Sequence, residues 1–465
     1  MKNTRKEIYG MKNKRLNGWF LHAILILAVL FSVVFTALIW VTPVYFQRLA
    51  GMAAPDKTKV VNEDTNTTDK KKLTDVYRPV SITVTDKRSS SRLLSNRIDV
   101  VNLMMTSLEG SKITDISEPE TVSKSEYLKL VQTPRSYQLN YGSELSFGVL
   151  KQYLAEQPAK SENYSFDRIV ISYDGSTVYF LEDAGLKVYK AKLTKYAKAK
   201  LNNVHKTKGL KRYKLSYEYQ NGRLIQYYED PITVPRYSYL YNKENVGMYV
   251  TRLLGAEKSS TSSLTTREQD GVTIYSDDSG QKLSIRDKTG LITYTDYLTD
   301  ETGRQNWTLD DHLTNDFTDL EQLGVSLADV KYSEYDIQEK NVIYRSYIDG
   351  FPVISARDFG TYQIQNRVRS KKLVFSQCSL QVPVPAAGKA VTLKPTKEIL
   401  PELQNADVDL SKISDIQIGY TVSQNGTASL VIDLTPTYFV KYNNVWINYQ
   451  DLVSGKKWGD NDNEF

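Results

Sequence analysis

Apolar residues fall into two unlike patterns along this chain. From Leu21 to Val41 they form one run of 21 positions, broken only by His22, Ser32 and Thr36. From Val76 onward they alternate with polar residues at period two or recur at helical intervals. The first pattern predicts a membrane-crossing helix, because 21 residues at 1.5 Å each span about 32 Å. Trp19 and Trp40 stand at its ends, where interfacial aromatics sit, and Pro43 stops it. A cleaved signal peptide would carry an apolar core of about 7–15 residues with small residues close behind. Here the run is longer and the small residues Gly51 and Ala53 come well past it, so the expectation is a retained anchor. Six Lys/Arg precede the run and only Arg48, Lys57 and Lys59 follow closely, which puts the N-terminus in the cytoplasm and the bulk outside.

The remainder predicts an α+β fold. After a polar tether, Val80, Ile82 and Val84 alternate as a strand. Arg92 to Leu108 carries Leu94, Ile98, Val101, Met105 and Leu108 on one helical stripe. Strands at 169–173 and 177–181 flank Asp174-Gly175, and a strand at 186–193 follows. Tyr-rich strands at 213–219 and 223–229 lead to a helix near 243–254, three short strands between 272 and 296, and a helix from Thr308 to Leu323. Strands at 341–348 and 351–357 flank Asp349-Gly350. Long strand-like stretches at 360–366, 372–382, 416–423, 427–433 and 437–449 follow, with a helix at 396–404. The organisation read from this is a basic tail (1–18), a transmembrane helix (19–42), a tether (43–75) and three exported, sheet-rich domains at 76–195, 196–335 and 336–465.

Charge changes this picture in one place. The net charge is +6, but residues 1–18 hold +5 and residues 187–214 hold eleven Lys/Arg without a carboxylate, so everything else sums to −10. This is no nucleic-acid signature. The stripe is a candidate contact for anionic lipid or wall polymer; the plainer alternative is a solvated strand edge that lysines protect from aggregation.

Catalytic patterns fail one by one. The three His residues (22, 205, 312) form no cluster. The single Cys378 sits in an alternating strand and excludes an internal disulfide, a Cys-based zinc site and a lipoprotein anchor. Ser279-Gly280-Gln281-Lys282 and Lys288-Thr289-Gly290 imitate penicillin-binding motifs, but they lie six residues apart in hairpin turns. Gly388-Lys389 lacks the first Gly of a phosphate loop, and the alternating acids Asp460, Asp462 and Glu464 lack a calcium loop's turn. A scattered carboxylate pair stays open. The expectation is no enzyme, no cofactor and no metal.

On the anchor, Ala28, Ser32 and Thr36 lie four apart and share a face. Small residues at this spacing admit a partner helix; Ser and Thr bonding their own carbonyls within a plain anchor is the alternative.

Several of these segments resemble the YycH family. Ser32, Thr36 and Trp40 are similar to its S-x-x-x-T-x-x-x-W run. Tyr77-Arg78-Pro79 resembles the start of its first exported domain. Tyr344-Arg345-Ser346-Tyr347-Ile348-Asp349-Gly350-Phe351-Pro352-Val353 resembles a hairpin shared with its sister, YycI. Ile416 to Tyr420, Leu434-Thr435-Pro436-Thr437-Tyr438 and Trp446 resemble its last strands. The resemblance implies three exported α+β domains, the last YycI-like, and a non-enzymatic regulator of the essential WalK/YycG-type histidine kinase of low-GC Gram-positive bacteria. It implies a YycI-like partner and a partner-binding transmembrane face of Ala28, Ser32, Thr36 and Trp40. It carries over no ligand site. A bitopic division or wall-synthesis scaffold fits the same parts, and a membrane-anchored wall hydrolase remains the third class.

Overall fold

The computed structural model describes Val29 and residues 72–456 apart from 153–163, 256–263, 298–303, 328, 387 and 427. The elements below belong to the compact unit Thr68–Phe465. Among the described residues no helix is long and apolar enough to cross a membrane; apart from Val29, the run Leu21–Val41, with Ala28, Ser32, Thr36 and Trp40, lies outside them.

The chain enters through α1 (Leu73–Val76), β1 (Ser81–Asp86), β2 (Ser89–Leu94), α2 (Val100–Ser107), β3 (Lys112–Thr114), β4 (Glu120–Thr121) and α3 (Lys124–Val131). Next come β5 (Ser136–Ser146), α4 (Phe147–Lys151), β6 (Ser165–Ser172), β7 (Val178–Glu182), β8 (Lys187–Thr194), α5 (Lys198–Asn203), β9 (Lys211–Gln220) and β10 (Arg223–Tyr228). These strands form one antiparallel sheet in the order β10-β9-β2-β1-β5-β6-β7-β8-β3, with β4 on β8. Arg92 is a correction to the helix expected at 92–108. Ser89–Leu94 folds back on β1 across a turn with Lys87 at φ 49°, pairing Thr83 with Arg92. The helix starts only after Asp99, whose carboxylate caps Asn102 N at 2.9 Å. A run of three serines has little reason to be helical when a strand partner is available.

The hairpin β9–β10 extends this first sheet through β2, pairing Arg92 with Tyr213. The following strands β11 (Ile232–Val234) and β12 (Tyr237–Lys243) leave it. Helix α6 (Val246–Leu254) then buries Tyr249, Val250, Leu253 and Leu254, one apolar face worth about 1.5–3 kcal/mol per large side chain. Four strands β13 (Thr265–Gln269), β14 (Val272–Ser276), β15 (Gln281–Arg286) and β16 (Leu291–Tyr297) lead to α7 (Leu309–Gln322). A capping box starts α7: Thr308 Oγ1 accepts from Asp311 N, and Asp311 Oδ2 accepts from Thr308 N at 2.8 Å.

The last part holds β17 (Val330–Asp336), β18 (Asn341–Ile348), β19 (Phe351–Pro352), β20 (Thr361–Arg367), β21 (Ser370–Ser376), β22 (Cys378–Val384) and β23 (Val391–Leu393). It ends with α8 (Thr396–Asn405), β24 (Ile413–Gln424), β25 (Val431–Tyr442), β26 (Val445–Asn448) and α9 (Tyr449–Ser454). A second large sheet runs β13-β14-β15-β16-β21-β20-β18-β17 with β19 on β18, and a smaller one runs β22-β12-β25-β24 with β26 on β25. Strands expected separately at 427–433 and 437–449 are one strand, β25, broken instead at the Asn443-Asn444 turn where both residues have positive φ. Pro436 sits inside it opposite Tyr420.

The two large sheets share one hydrophobic core, from Ile82, Leu139 and Phe166 to Leu313, Tyr344 and Phe375. They meet backbone to backbone: a Cβ on Gly142 of β5 would lie 2.5 Å from the carbonyl oxygen of Ser333 on β17, so only glycine admits this approach. The smaller sheet has its own core of Ile399, Leu403, Ile418, Tyr420, Leu434 and Tyr438.

Candidate interaction site where the motif segments converge

Tyr77 follows α1 and is fully buried. Its hydroxyl donates to the Leu313 carbonyl at 2.6 Å and lies 2.6 Å from the Tyr344 hydroxyl, which must then donate to it. Tyr332 packs on the same ring at 5.2 Å and donates to the Glu144 carbonyl at 2.7 Å. Burial pushes all three phenols up, so they stay donors. The neighbouring Arg78 turns outward to Asp75 at 2.7 Å.

Arg92 joins the first sheet to the β18–β19 turn. It donates to Tyr228 Oη at 2.9 Å and to the Gly350 carbonyl at 2.6 Å, and lies 4.4 Å from the centre of the Phe351 ring. Gly350 has φ +79°, and a Cβ there would press within 3.2 Å of the Val80 carbonyl. Beyond the turn, a Cβ on Gly419 would come within 2.9 Å of the Pro352 carbonyl, and Ile354 N donates to the Tyr420 carbonyl at 2.9 Å. Three segments far apart in sequence thus meet through Tyr77–Tyr344, Arg92–Gly350 and Pro352–Gly419.

Charged pairs surround this meeting point. Arg223 on the β9–β10 hairpin holds Asp415 of β24 at 2.9 Å and donates to the Gly142 carbonyl at 2.7 Å. Lys441 pairs with Glu334, which also accepts from Trp446 Nε1 at 3.2 Å. Burial alone would raise Glu334, but the Lys441 ammonium brings it below the usual range; burial keeps Asp415 above it. Arg168 and Asp183 form a buried pair in the first sheet.

The YycH protein N-terminal domain matches residues 21–212, and the YycH protein C-terminal domain matches residues 229–452. The chain belongs to the YycH family. The resemblance read from the motifs is therefore correct, and it makes the protein a regulatory accessory protein with a mixed, strand-rich fold. The crystal structure of YycH from Bacillus subtilis is similar in fold, with a TM-score of 0.64 at 13% identity over 82% of this chain and 97% of that one. No curated protein sequence matches the chain. The YycH domains leave out residues 213–228, most of the β9–β10 hairpin, whose Arg223 holds the first sheet against β24.

Other residues singled out in the sequence stay apart from this YycH junction. Ser279 and Lys282 lie at an exposed turn, with Ser279 Oγ donating to Asp277 at 2.6 Å. Cys378 is buried in β22, and burial pushes its thiol up. His205 stacks on Tyr173 with ring centres 4.0 Å apart. Asp460, Asp462 and Glu464 lie outside the described residues. No group of three His, Cys, Asp or Glu among the described residues could hold a metal. The basic stripe divides. On β8, Lys187 pairs with Glu182, Lys190 with Glu120 and Lys192 with Asp115, all from adjoining segments. Lys195, Lys198, Lys200 and Lys208 are exposed and have no ion pair among the described residues. Arg92, Lys331 and Arg223 were missed as site residues; each reads as an ordinary strand residue, and only their long-range partners distinguish them.

His312 gives a pH dependence. It is buried on α7 between Trp307 and Tyr335, and burial, aided by Lys340, lowers it to about 4. The unfolded imidazole titrates near 6.5, so its contribution is complete above about pH 6.5 and is lost as pH falls through about 4. Stability should drop by roughly 2–3 kcal/mol across that window. Urea unfolding at pH 4 and pH 7 measures it, and His312→Phe should flatten the difference; an equal slope in the variant would refute the assignment.

Proposed function

We propose that the protein is a non-enzymatic subunit that tunes an envelope sensor histidine kinase, acting with a YycI-like partner. In this reading Leu21–Val41 crosses the membrane once, the N-terminus is cytoplasmic, and the exported part makes the second set of contacts. The observation that supports it most is the convergence of the family's motif segments on structural contacts. Tyr77, Tyr344, Gly350 and Gly419 hold sheets together rather than presenting a nucleophile and its base. Contacts of this kind fix a shape, and a fixed shape serves a protein that works by being touched. A regulator of this kind shifts a kinase between states by binding them unequally. The unmatched Lys195, Lys198, Lys200 and Lys208, with the likewise exposed Lys211 and Lys214, also without an ion pair among the described residues, are the part of the basic stripe left to meet anionic lipid or wall polymer.

Affinity purification of the full-length protein from solubilised membranes should recover a sensor histidine kinase together with a small bitopic protein. Recovery of division or wall-synthesis proteins without a kinase would replace this reading with the scaffold one.

A further inference from the structure

A cavity of about 360 Å³ lies between α1, the β2–α2 connection, the start of β17 and the β18–β19 turn. That volume falls within the range of about 300–1,000 Å³ found for small-ligand sites. Its charged groups can be followed one at a time. Asp75 accepts from Arg78 at 2.7 Å and from Lys72 N at 3.2 Å. Asp99 caps α2, Asp349 accepts from the Tyr237 hydroxyl, and Asp329 completes the four carboxylates of the lining, with a partner of its own. Arg78 is occupied by Asp75 and Asn102, and the two Nη groups of Arg92 by Tyr228 and Gly350.

Two cations are left over. Lys331, half-buried on β17, lines the cavity with its ammonium 5.9 Å from the centre of the Tyr347 ring. Arg97 is exposed at the rim. Neither side chain has an ion pair or a hydrogen-bond acceptor among the described residues. A third donor, Arg92 Nε, is buried without an acceptor. Burial lowers Lys331 and the guanidiniums of Arg78 and Arg92 act in the same direction, while Asp99 and Asp329 oppose them. The four cations and four carboxylates of the lining balance in formal charge, so what is unmet is the donor capacity of Lys331, Arg97 and Arg92 Nε for acceptor oxygens, and unmet buried donors are costly.

We infer that this cavity binds a small ligand through one oxyanion group, a carboxylate or a phosphate, received by Lys331 with Arg97 at the rim. The walls come from residues 75–101 and 329–350, so an occupant would brace two distant stretches of chain against each other. The inference is independent of which protein the exported part contacts.

The test uses full-length protein in nanodiscs of zwitterionic lipid, with lysines carrying ¹³C-methyl labels and the Lys331 signal assigned by Lys331→Arg. Inorganic phosphate, acetate and N-acetylalanine are titrated separately. A saturable shift of the Lys331 signal with phosphate alone assigns a phosphate site; a shift with acetate or N-acetylalanine alone assigns a carboxylate site; either supports the inference. By calorimetry, Lys331→Met should weaken the bound anion by about tenfold to a hundredfold, and Arg97→Gln, at an exposed position, by about tenfold. No response to any of the three up to about 20 mM, or affinity unchanged in both variants, overturns it.

Discussion

Asp183→Ala should destabilise the compact unit Thr68–Phe465 by about 3–5 kcal/mol, enough to leave a marginal domain largely unfolded. Asp183 takes two hydrogen bonds from Arg168, one of 2.9 Å from Nε and a shorter one from Nη2. It also accepts from Tyr127 Oη at 2.6 Å and from Leu224 N at 3.2 Å. Both charged side chains are less than a tenth exposed. Removing the carboxylate leaves a guanidinium, a phenol and an amide buried without their acceptor. Asp183→Asn should recover part of the loss, because an amide oxygen still serves Tyr127. Replacing both partners, Arg168→Met with Asp183→Leu, should cost less than Asp183→Ala alone. Equilibrium urea unfolding followed by aromatic fluorescence gives the values, and a loss below about 1 kcal/mol for Asp183→Ala would show that the pair matters little.

Under the proposed function, replacing Ala28, Ser32 and Thr36 together with Leu should weaken association with a histidine kinase by about tenfold or more, without impairing membrane insertion. Lipid offers no hydrophobic drive for helices to meet, so they depend on close approach and on interhelical hydrogen bonds, each worth about 0.6–2 kcal/mol. Losing two or three gives the expected factor. Three leucines keep the segment apolar but put bulk where a partner backbone would lie, beside Trp40 on the same spacing. Leu30→Ile and Val34→Ile, away from that face, are the controls. Co-purification or a two-hybrid signal with the full-length protein measures the effect. Wild-type association by the triple variant would place recognition in the exported part.

What could be read from the sequence was what local pattern determines. The Thr308–Leu323 helix announced itself by its capping acids, and the hairpin around Asp174-Gly175 by its turn. Arg92 was misread because Leu94, Ile98, Val101 and Met105 fit a helical stripe, whereas pairing with β1 and β9 decided that Ser89–Leu94 is a strand. Helix α3 and strand β5 went unnoticed, since their apolar spacing is short and mixed. The junction was legible only as motifs. Tyr77 and Gly350 could be named from a family resemblance, but nothing local says that Tyr77 meets Tyr344 or that Lys331 lines a cavity with Arg97. Those facts depend on the packing of one sheet on another, where sequence distance carries no information.

The hydroxyl contact between Tyr77 and Tyr344 spans 267 residues of chain, and this sets a clock on biogenesis. At a synthesis rate of about 5–20 residues per second, roughly 13–53 seconds separate the appearance of the two tyrosines. Through that interval the first sheet lacks the elements that cover Tyr77, Ile82 and Phe166, and its apolar face is open to solvent and to neighbouring nascent chains. A chain made in this order has reason to need a holding chaperone until residue 344 arrives, and stalled synthesis would leave a sticky half-product rather than a folded first domain.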